Sequence, residues 1–275
     1  MSGKWGFIDC RGKVVIFPRF REAGDFSAGL ARVRENSLWG YIDRRGEYAI
    51  PPEFEDALDF SEGLASVQVG GKWGYIDSSG EFRIDPRFDF AGRFSEGLAP
   101  VLSGGVWFFV TPRGERYNHM QFANLWGFSE GLAPVSIRGK WGYVDRRGKL
   151  KIRPVFEDAR SFREGLARVR VGNRWGFITA AGKFAITPVF EDAGDFSSSV
   201  APVRERERWG FITREGRYVI TPGFECAGSL KEGRIAISFR GKWGYIDRGG
   251  DILISPRYLF CGDFSEGLAR VWVGE

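Results

Sequence analysis

One spacing governs this sequence. Tryptophan recurs every 34 residues without insertion or deletion, at positions 5, 39, 73, 107, 141, 175, 209 and 243. Seven of these tryptophans are followed by glycine, whereas Trp107 is followed by Phe108. Self-similarity at a fixed period of this length is typical of repeat architectures. The chain is therefore predicted to be a single repeat domain of eight units over residues 1–275.

A helical repeat of the same period is excluded by two recurring residues. A glycine follows each tryptophan by seven positions, as Gly46 follows Trp39, and seven units carry a proline where the second unit has Pro52. Both residue types interrupt helices. The second unit instead predicts a strand over 39–43, a turn at 44–46, a return strand ended by Pro51–Pro52, an ordered loop, and a third strand over 64–69. About three short strands per unit are expected.

These motifs resemble those of the bacterial WG-repeat family, which takes its name from the Trp-Gly pair. The shared elements are W-G-[FY]-[IV]-[DT], the turn glycine, P-x-F and F-S-E-G-L-A-x-V, and they cover essentially the whole chain. The resemblance implies a repeat scaffold, generally without an assigned reaction.

The two ends of the chain predict a closed ring. Joining the last strand, 268–273, to the first Lys-Trp-Gly would recreate the internal sequence found at 65–74. An open array would leave apolar edges exposed, which soluble proteins avoid. We therefore expect an all-β, propeller-like toroid of eight β-hairpin repeats, closed by pairing of strand 268–273 with the N-terminal strand. An open superhelical β-ribbon solenoid is the alternative.

Catalytic and metal-binding sets are hard to assemble from this sequence. His119 is the single histidine, and it lacks an Asp, Glu or Cys neighbour at ligand spacing. Phosphate-binding loops are absent. The repeated Asp or Thr at the end of the first strand and the repeated Glu of Ser-Glu-Gly are expected to serve turns rather than bind calcium or cleave glycosides. No cofactor, no metal and no enzymatic activity are expected.

Cysteine usage and hydropathy bear on the compartment. Cys10, Cys226 and Cys261 form neither a disulfide framework nor a zinc spacing, and no stretch approaches the roughly 20 apolar residues of a membrane span. The first residues enter the repeat at once and leave no room for a signal peptide. We expect a cytoplasmic monomer. The net charge of +5 permits an anionic partner without indicating one.

Binding residues are expected where the copies differ, because packing positions must repeat and binding positions need not. The third strand varies at two positions that should face outward beside its constant Ala and Val. There it carries the candidate binding residues Arg32, Arg34, Arg168, Arg170, Arg270 and Trp272. Arginine forks suit phosphate, sulfate or carboxylate groups. Solvated charges on the rim are the alternative interpretation.

The fourth unit departs most from the pattern. It gains Phe108, Tyr117 and Trp126, and its second strand carries Asn118 and Met120 in place of the usual Ile and Pro. A rule broken at one place in a regular array indicates either decay or a functional site. The gain of aromatic residues favours a site, predicted to comprise Arg116, Tyr117, His119 and Trp126.

These observations predict a non-catalytic binding or scaffold module that presents a rigid surface to a protein or other macromolecule. Two alternatives remain open. One is binding of an anionic or carbohydrate polymer, a polysaccharide or nucleic acid, through arginines and exposed aromatic residues. The other is an enzyme, such as a hydrolase, with its site in the fourth unit near His119 and Asn118.

Overall fold

A computed structural model describes residues 3–117 and 119–274. These residues form no helix, and their β-strands make eight blades arranged in a ring. The protein is therefore an eight-bladed β-propeller, which confirms the predicted closed all-β toroid and excludes the open ribbon. Within the described ranges, no helix could cross a membrane.

Short strands make up every blade. The first half of the chain contains β1 (Lys4–Asp9), β2 (Val14–Phe20), β3 (Glu22–Ala23), β4 (Ala31–Arg34), β5 (Trp39–Ile42), β6 (Tyr48–Phe54), β7 (Asp56–Ala57), β8 (Ala65–Val69), β9 (Lys72–Ile76), β10 (Phe82–Phe88), β11 (Phe90–Ala91), β12 (Ala99–Ser103), β13 (Val106–Val110), β14 (Asn124–Leu125) and β15 (Leu132–Ile137). The second half contains β16 (Lys140–Asp145), β17 (Leu150–Phe156), β18 (Asp158–Ala159), β19 (Leu166–Val171), β20 (Arg174–Thr179), β21 (Phe184–Phe190), β22 (Asp192–Ala193), β23 (Val200–Glu205), β24 (Arg208–Thr213), β25 (Tyr218–Phe224), β26 (Cys226–Lys231), β27 (Arg234–Phe239), β28 (Lys242–Ile246), β29 (Ile252–Tyr258), β30 (Phe260–Cys261) and β31 (Leu268–Val273).

Blades are numbered here by their tryptophans, so that blade 1 contains Trp5 and blade 8 contains Trp243. Blade 2 has the order β3–β4–β5–β6, from the axis to the rim, and every other blade except blade 4 repeats this four-strand order. The expectation of three strands per unit is wrong. The segment predicted as an ordered loop contains a further two-residue strand, such as β7, which pairs with the third strand of the next blade. Each sequence unit therefore starts in one blade and ends in the next.

Blade 1 joins strands from both halves of the chain. Its order is β2–β1–β31–β30, and β31 pairs with β1 in antiparallel register from Lys4 opposite Val273 to Asp9 opposite Leu268. All six residues of β1 take part in this ladder. The contact completes the ring.

The apolar core lies between adjacent blades. Trp39 and Tyr41 of blade 2 pack in one cluster with Phe60 and Val67 of blade 3, and Trp39 is only 6% exposed. Burial of such side chains contributes about 1.5–3 kcal/mol each. The recurring tryptophan thus serves inter-blade packing, and clusters of the same composition recur around the ring.

The glycine after tryptophan is required by a close approach of the outer strand. In blade 2 the register jumps between the pairs Tyr41–Ile50 and Trp39–Phe54, so β6 bulges across Gly40. A Cβ at Gly40 would stand 2.7 Å from the Ile50 carbonyl oxygen and 2.7 Å from the Pro52 nitrogen. The prediction that the prolines end this strand is therefore wrong, because β6 continues through them as an edge strand.

Blade 4 breaks this arrangement at both partners. Phe108 stands where the glycine should be, and Met120 stands where the proline should be. A phenylalanine side chain cannot coexist with a bulge packed onto that position. The sheet of blade 4 accordingly has three strands, and its outer strand is reduced to the isolated bridges Val110–Arg116 and Trp107–Phe122.

The repeated polar residues hold turns and join blades. Asp43 accepts hydrogen bonds from the amides of Arg45 and Glu47 within its own turn. Ser27 Oγ donates to the Phe60 carbonyl oxygen of the next blade at 2.7 Å. The Glu62 carboxylate accepts from two amides of the next Ser-Glu-Gly turn. These contacts agree with the structural roles expected from the sequence.

Candidate binding site at the junction of blades 4 and 5

Three junctions between blades are closed by an arginine and an aspartate. In blade 2, Arg32 Nε donates to Asp59 Oδ1 of blade 3 at 2.7 Å, and another nitrogen of Arg32 donates to the Ala57 carbonyl oxygen. The guanidinium also lies over the Trp39 ring, 4.9 Å from its centroid. The same set recurs at Arg270 with Asp25 and Trp5. Arg168 likewise donates to the Ala193 carbonyl oxygen and lies over Trp175, and its Nε forms an ion pair with Asp195 at 2.7 Å.

The third-strand face that carries these arginines packs against the next blade, so the expectation that it faces outward is wrong for these residues. Arg34 of the same face lies over Trp39 and forms an ion pair with Glu22. Arg170 is half-buried and paired in register with Asp158, and Trp272 stacks on Trp5 with ring centroids 6.4 Å apart. Physically, the strand pleat puts these positions on the tryptophan side, which is the side of the blade interface.

Three other junctions replace the arginine with proline and the aspartate with a small residue. The pairs are Pro100 with Gly127, Pro134 with Ser161, and Pro202 with Ser229, each 27 residues apart like Arg32 and Asp59. The proline side chain is too short to contact the next blade as arginine does, and glycine or serine offers no carboxylate to pair with. The first of these pairs lies between blades 4 and 5, where the space is left open.

The open space is a cavity of about 700 Å³, called here the junction cavity. Its apolar walls are Leu58, Phe90, Pro100, Leu102, Trp107, Leu125, Trp126 and Phe128, and its polar groups are Arg93, Ser95, Asn124, Ser161 and Arg163. A Cβ at Gly127 would meet no atom closer than Ser95 Cβ at 3.7 Å, and the backbone there has no positive φ. Packing therefore does not require glycine at position 127. The absence of a side chain there leaves the volume of the junction cavity free.

Aromatic rings line the junction cavity on both of its sides. Phe90 and Trp107 pack 5.7 Å apart on the blade 4 side. On the blade 5 side, Trp126 stacks nearly parallel on Trp141 at 6.3 Å, and Arg160 lies over its ring at 5.0 Å. Trp126 nevertheless keeps 42% of its surface exposed. Its orientation is fixed while a large face stays available.

A second, polar cavity of about 250 Å³ lies on the ring axis, because its lining comes from five blades. This axial cavity is lined mainly by Asp25, Asp59, Arg93, Lys231 and Asp263. Arg93 pairs with Asp59 and lines both cavities. Burial raises the pKa of Asp263 to about 6, and the nearby charge of Asp25 acts in the same direction. Burial also raises the pKa of Asp25, against the effect of its partner Arg270.

The residues predicted in the fourth unit fall into two places. Arg116 lies over the Phe108 ring at 4.5 Å and Tyr117 is 38% exposed, and both follow the irregular outer side of blade 4 with the exposed His119. Trp126 follows β14 in blade 5 and lines the junction cavity with Trp107 instead. Asn118 lies outside the described residues. Among the described residues, no group of three His, Cys, Asp or Glu is placed to hold a metal ion.

Most residues of the cavity wall were not predicted from the sequence, because no single one of them departs clearly from the repeat pattern. Leu102 and Pro100 look unremarkable alone, and Gly127 is one of 39 glycines. The available signal was a correlation between copies. Arginine at the third-strand position accompanies aspartate 27 residues later, whereas proline accompanies glycine or serine.

Comparison with known proteins agrees with the fold. A family model described as "WG containing repeat" matches residues 5–39, 39–73, 73–107, 119–141, 141–175, 175–209, 209–243 and 243–274, which leaves 108–118 of the irregular blade unmatched. No curated protein sequence matches significantly.

Several solved structures resemble the chain at low identity. Hsv2p of Kluyveromyces lactis shares 9% identity, with a TM-score of 0.55 over 83% of this chain and 92% of that one. A structure titled as the eukaryotic initiation factor shares 10%, with 0.58 over 95% and 87%. The dihydro-heme d1 dehydrogenase NirN shares 10%, with 0.59 over 100% and 74%. These likenesses concern the fold alone. The repeat matches, by contrast, cover nearly the whole chain, and the protein belongs to the family of WG-containing repeat proteins.

Proposed function

We propose that this protein is a non-catalytic binding module that anchors an apolar side chain of a protein partner in the junction cavity. The observation that carries the proposal is the cavity itself, an aromatic-walled space at a blade junction, where three of the equivalent junctions have an Arg–Asp pair. Ligand pockets typically measure about 300–1,000 Å³ and combine apolar walls with a few polar groups. The junction cavity has this size and this composition.

A protein partner is favoured over an anionic polymer by how the arginines are used. Arg32, Arg168 and Arg270 each hold a carboxylate of the next blade, so their charges are already compensated. Binding of a polyanion needs cations available to phosphates or sulfates along a continuous track. Aromatic residues and rigid walls instead suit an anchoring side chain, since such anchors dominate protein interfaces.

The exposed thiols of Cys10 and Cys226 favour a reducing compartment, because exposed free thiols are prone to oxidation in an oxidising one. We propose a cytoplasmic location on this ground. Immunofluorescence or fractionation of the tagged native protein would test this placement.

The test of function is binding to an array of short, C-terminally amidated peptides of varied sequence. The matched variants are Gly127→Leu, which fills the junction cavity, and Gly223→Leu, which makes the same change on the outer strand of blade 7, where a Cβ meets only the Thr221 carbonyl oxygen at 3.8 Å. Wild type and Gly223→Leu are expected to retain the same peptides, rich in aromatic or branched apolar residues. Gly127→Leu is expected to lose them. Retention of those peptides by Gly127→Leu would refute the proposal.

A further inference from the structure

One position of the Ser-Glu-Gly turn is altered in two units, and both alterations introduce a cation. Six units carry serine there, namely Ser27, Ser61, Ser95, Ser129, Ser197 and Ser265. Each of these hydroxyls donates to the carbonyl oxygen of a residue in the next blade at 2.6–2.7 Å. The exceptions are Arg163 and Lys231. Neither side chain makes this bond, so each substitution gives up one contact between blades.

Both cations line a cavity near the axis. Arg163 lines the junction cavity, and Lys231 lines the axial cavity. Both hold the turn position at which Ser27 and Ser265 line the axial cavity, so we infer that Arg163 lies at the axial end of the junction cavity. Arg163 is exposed and forms no ion pair with any described carboxylate, whereas the arginines of the third strand do. The turn position whose serine normally bonds to the next blade is thus occupied in this unit by Arg163, whose side chain lines the junction cavity.

Carboxylates are missing where the other junctions have them. The position of Asp59 is occupied by Gly127 in blade 5 and by Ser161 in blade 6, both of which line the junction cavity. Arg93, at the same position in blade 4, adds a second guanidinium to this end, with one nitrogen engaged by Asp59. Glu130, the acidic residue of the neighbouring turn, accepts a hydrogen bond from the Gly165 amide. The axial end of the cavity is therefore cationic and its body is apolar.

We propose that the junction cavity recognises an acidic peptide segment, in which an apolar side chain enters between Trp107 and Trp126 and an adjacent Asp or Glu carboxylate meets Arg163 and Arg93. This inference rests on the proposed function and adds the charge of the partner. Arginine forks pair with carboxylates through two parallel hydrogen bonds, and five donors leave Arg93 able to serve both Asp59 and a ligand.

The test uses two dyes with the same aromatic body. Anilinonaphthalene sulfonate carries an anionic group, and N-phenyl-1-naphthylamine lacks it. Fluorescence titrations are run on the wild-type chain, on Arg163→Ser, and on the matched control Lys231→Ser, which makes an equivalent change at the other altered unit. Gly127→Leu reports whether either dye occupies the junction cavity.

Wild type is expected to bind the anionic dye about fivefold more tightly than the neutral dye, as a partly exposed ion pair allows. Arg163→Ser is expected to remove this preference without changing the affinity for the neutral dye, and Lys231→Ser to retain it. Equal affinities for both dyes in wild type, or loss of the preference in Lys231→Ser as well, would overturn the inference. If Gly127→Leu abolishes neither titration, the cavity is not the site and the proposed function fails with it.

The peptide array gives a second, independent measure. Because its peptides are amidated, any requirement for negative charge must come from Asp or Glu side chains. Wild type is expected to select peptides that place an acidic residue beside the apolar one, and Arg163→Ser to bind their Asn or Gln counterparts equally well. Selection of apolar peptides without acidic residues by wild type would contradict the acidic partner while leaving the proposed function intact.

Discussion

Ala236 of blade 8 and Asp263 of blade 1 occupy the positions that arginine and aspartate hold in three other blade junctions. Both side chains adjoin Gly228, and a Cβ placed there would lie 2.3 Å from Asp263 Oδ1 and 3.4 Å from Ala236 Cβ. Asp263 is thus the aspartate of this set whose arginine is missing. Burial raises the pKa of Asp263, the nearby charge of Asp25 raises it further, and no arginine across the junction opposes these two effects.

Replacing the missing arginine should stabilise the ring. The change Ala236→Arg would place a guanidinium beside Asp263, as Arg270 stands beside Asp25, and Gly228 leaves the same room that Gly262 leaves for Arg270. We expect the free energy of unfolding to rise by about 1 kcal/mol, measured by urea denaturation at neutral pH. Ser66→Arg is the matched control, because its partner position holds Arg93, and it should destabilise the protein. A gain in both variants would contradict the pairing.

Asp263 should also give the stability a definite pH dependence. Its pKa is about 6 in the folded protein and near 3.8 ordinarily, so the folded state binds the extra proton between these values. The contribution of this group to stability therefore falls as the pH rises from about 4 to about 6. Asp263→Asn is expected to be more stable than wild type at pH 7.5, with an advantage that shrinks toward about pH 4.5.

A surface aspartate provides the opposite sign for comparison. Hydrogen bonds from Ser79 lower the pKa of Asp77 to about 2. Asp77→Asn should therefore be less stable than wild type at neutral pH, and the deficit should shrink as the pH falls toward about 2. If both aspartate variants showed the same sign in urea denaturation across the pH series, the assigned environment of Asp263 would be wrong.

The glycine after tryptophan should tolerate no side chain. Gly40→Ala would force a methyl group against the backbone of Ile50 and Pro52, so we expect a loss of about 2–3 kcal/mol in the free energy of unfolding. Gly127→Ala, where a Cβ has space, should change stability by less than about 0.5 kcal/mol. Equal losses in the two variants, followed by thermal or chemical denaturation, would show that close approach is not the reason for the glycine.

The two arginines of β19 should contribute differently to the free energy of unfolding. Arg168 bridges to Asp195 and to the Ala193 carbonyl oxygen of the next blade, whereas Arg170 is paired in register with Asp158 at the edge of the short strand. Arg168→Met should cost about 1–2 kcal/mol in chemical denaturation, since Asp195 loses its partner, and Arg170→Met should cost much less. A larger loss for Arg170→Met would contradict the junction role assigned to Arg168.

Restoring the repeat's serine in place of Arg163 should strengthen the ring while weakening binding. In the variant Arg163→Ser, the new hydroxyl is expected to donate to the Phe196 carbonyl oxygen, as Ser27 donates to that of Phe60, for a gain of about 1 kcal/mol. Ser197→Arg, the reverse change in the next unit, should lose a similar amount. Parallel changes in stability for these two variants, measured by thermal unfolding, would argue against a hydrogen bond as the cause.

The fold was largely predictable because repetition multiplies weak local signals. Trp39, Gly46 and Pro52 each say little alone, and eight copies in register indicate β-structure. Closure was expected because strand 268–273 joined to the first Lys-Trp-Gly recreates the internal sequence at 65–74. The innermost strands were missed because two residues such as Asp56 and Ala57 carry no visible period. The strand through Pro51–Pro52 was missed because an edge strand can bulge over a glycine, a relation between residues ten or more positions apart.

The candidate site was predictable in part. Trp126 was singled out and does line the junction cavity. Arg116, Tyr117 and His119 were grouped with it because they are close in sequence, but the unit crosses from the rim of blade 4 to the axis of blade 5. Arg32 and its equivalents were expected to face outward because the sequence does not show that a neighbouring blade covers them. Because each sequence unit spans two blades, residues that are close in sequence can lie far apart in the structure.

The offset between sequence unit and blade also defines what can be exchanged between such proteins. A segment cut from one tryptophan to the next would separate Arg32 from Asp59, and Pro100 from Gly127, because each pair straddles a tryptophan. A segment cut from the third strand of one blade to the short strand of the next keeps both partners together. Recombination and design should therefore exchange whole junctions between blades rather than whole blades.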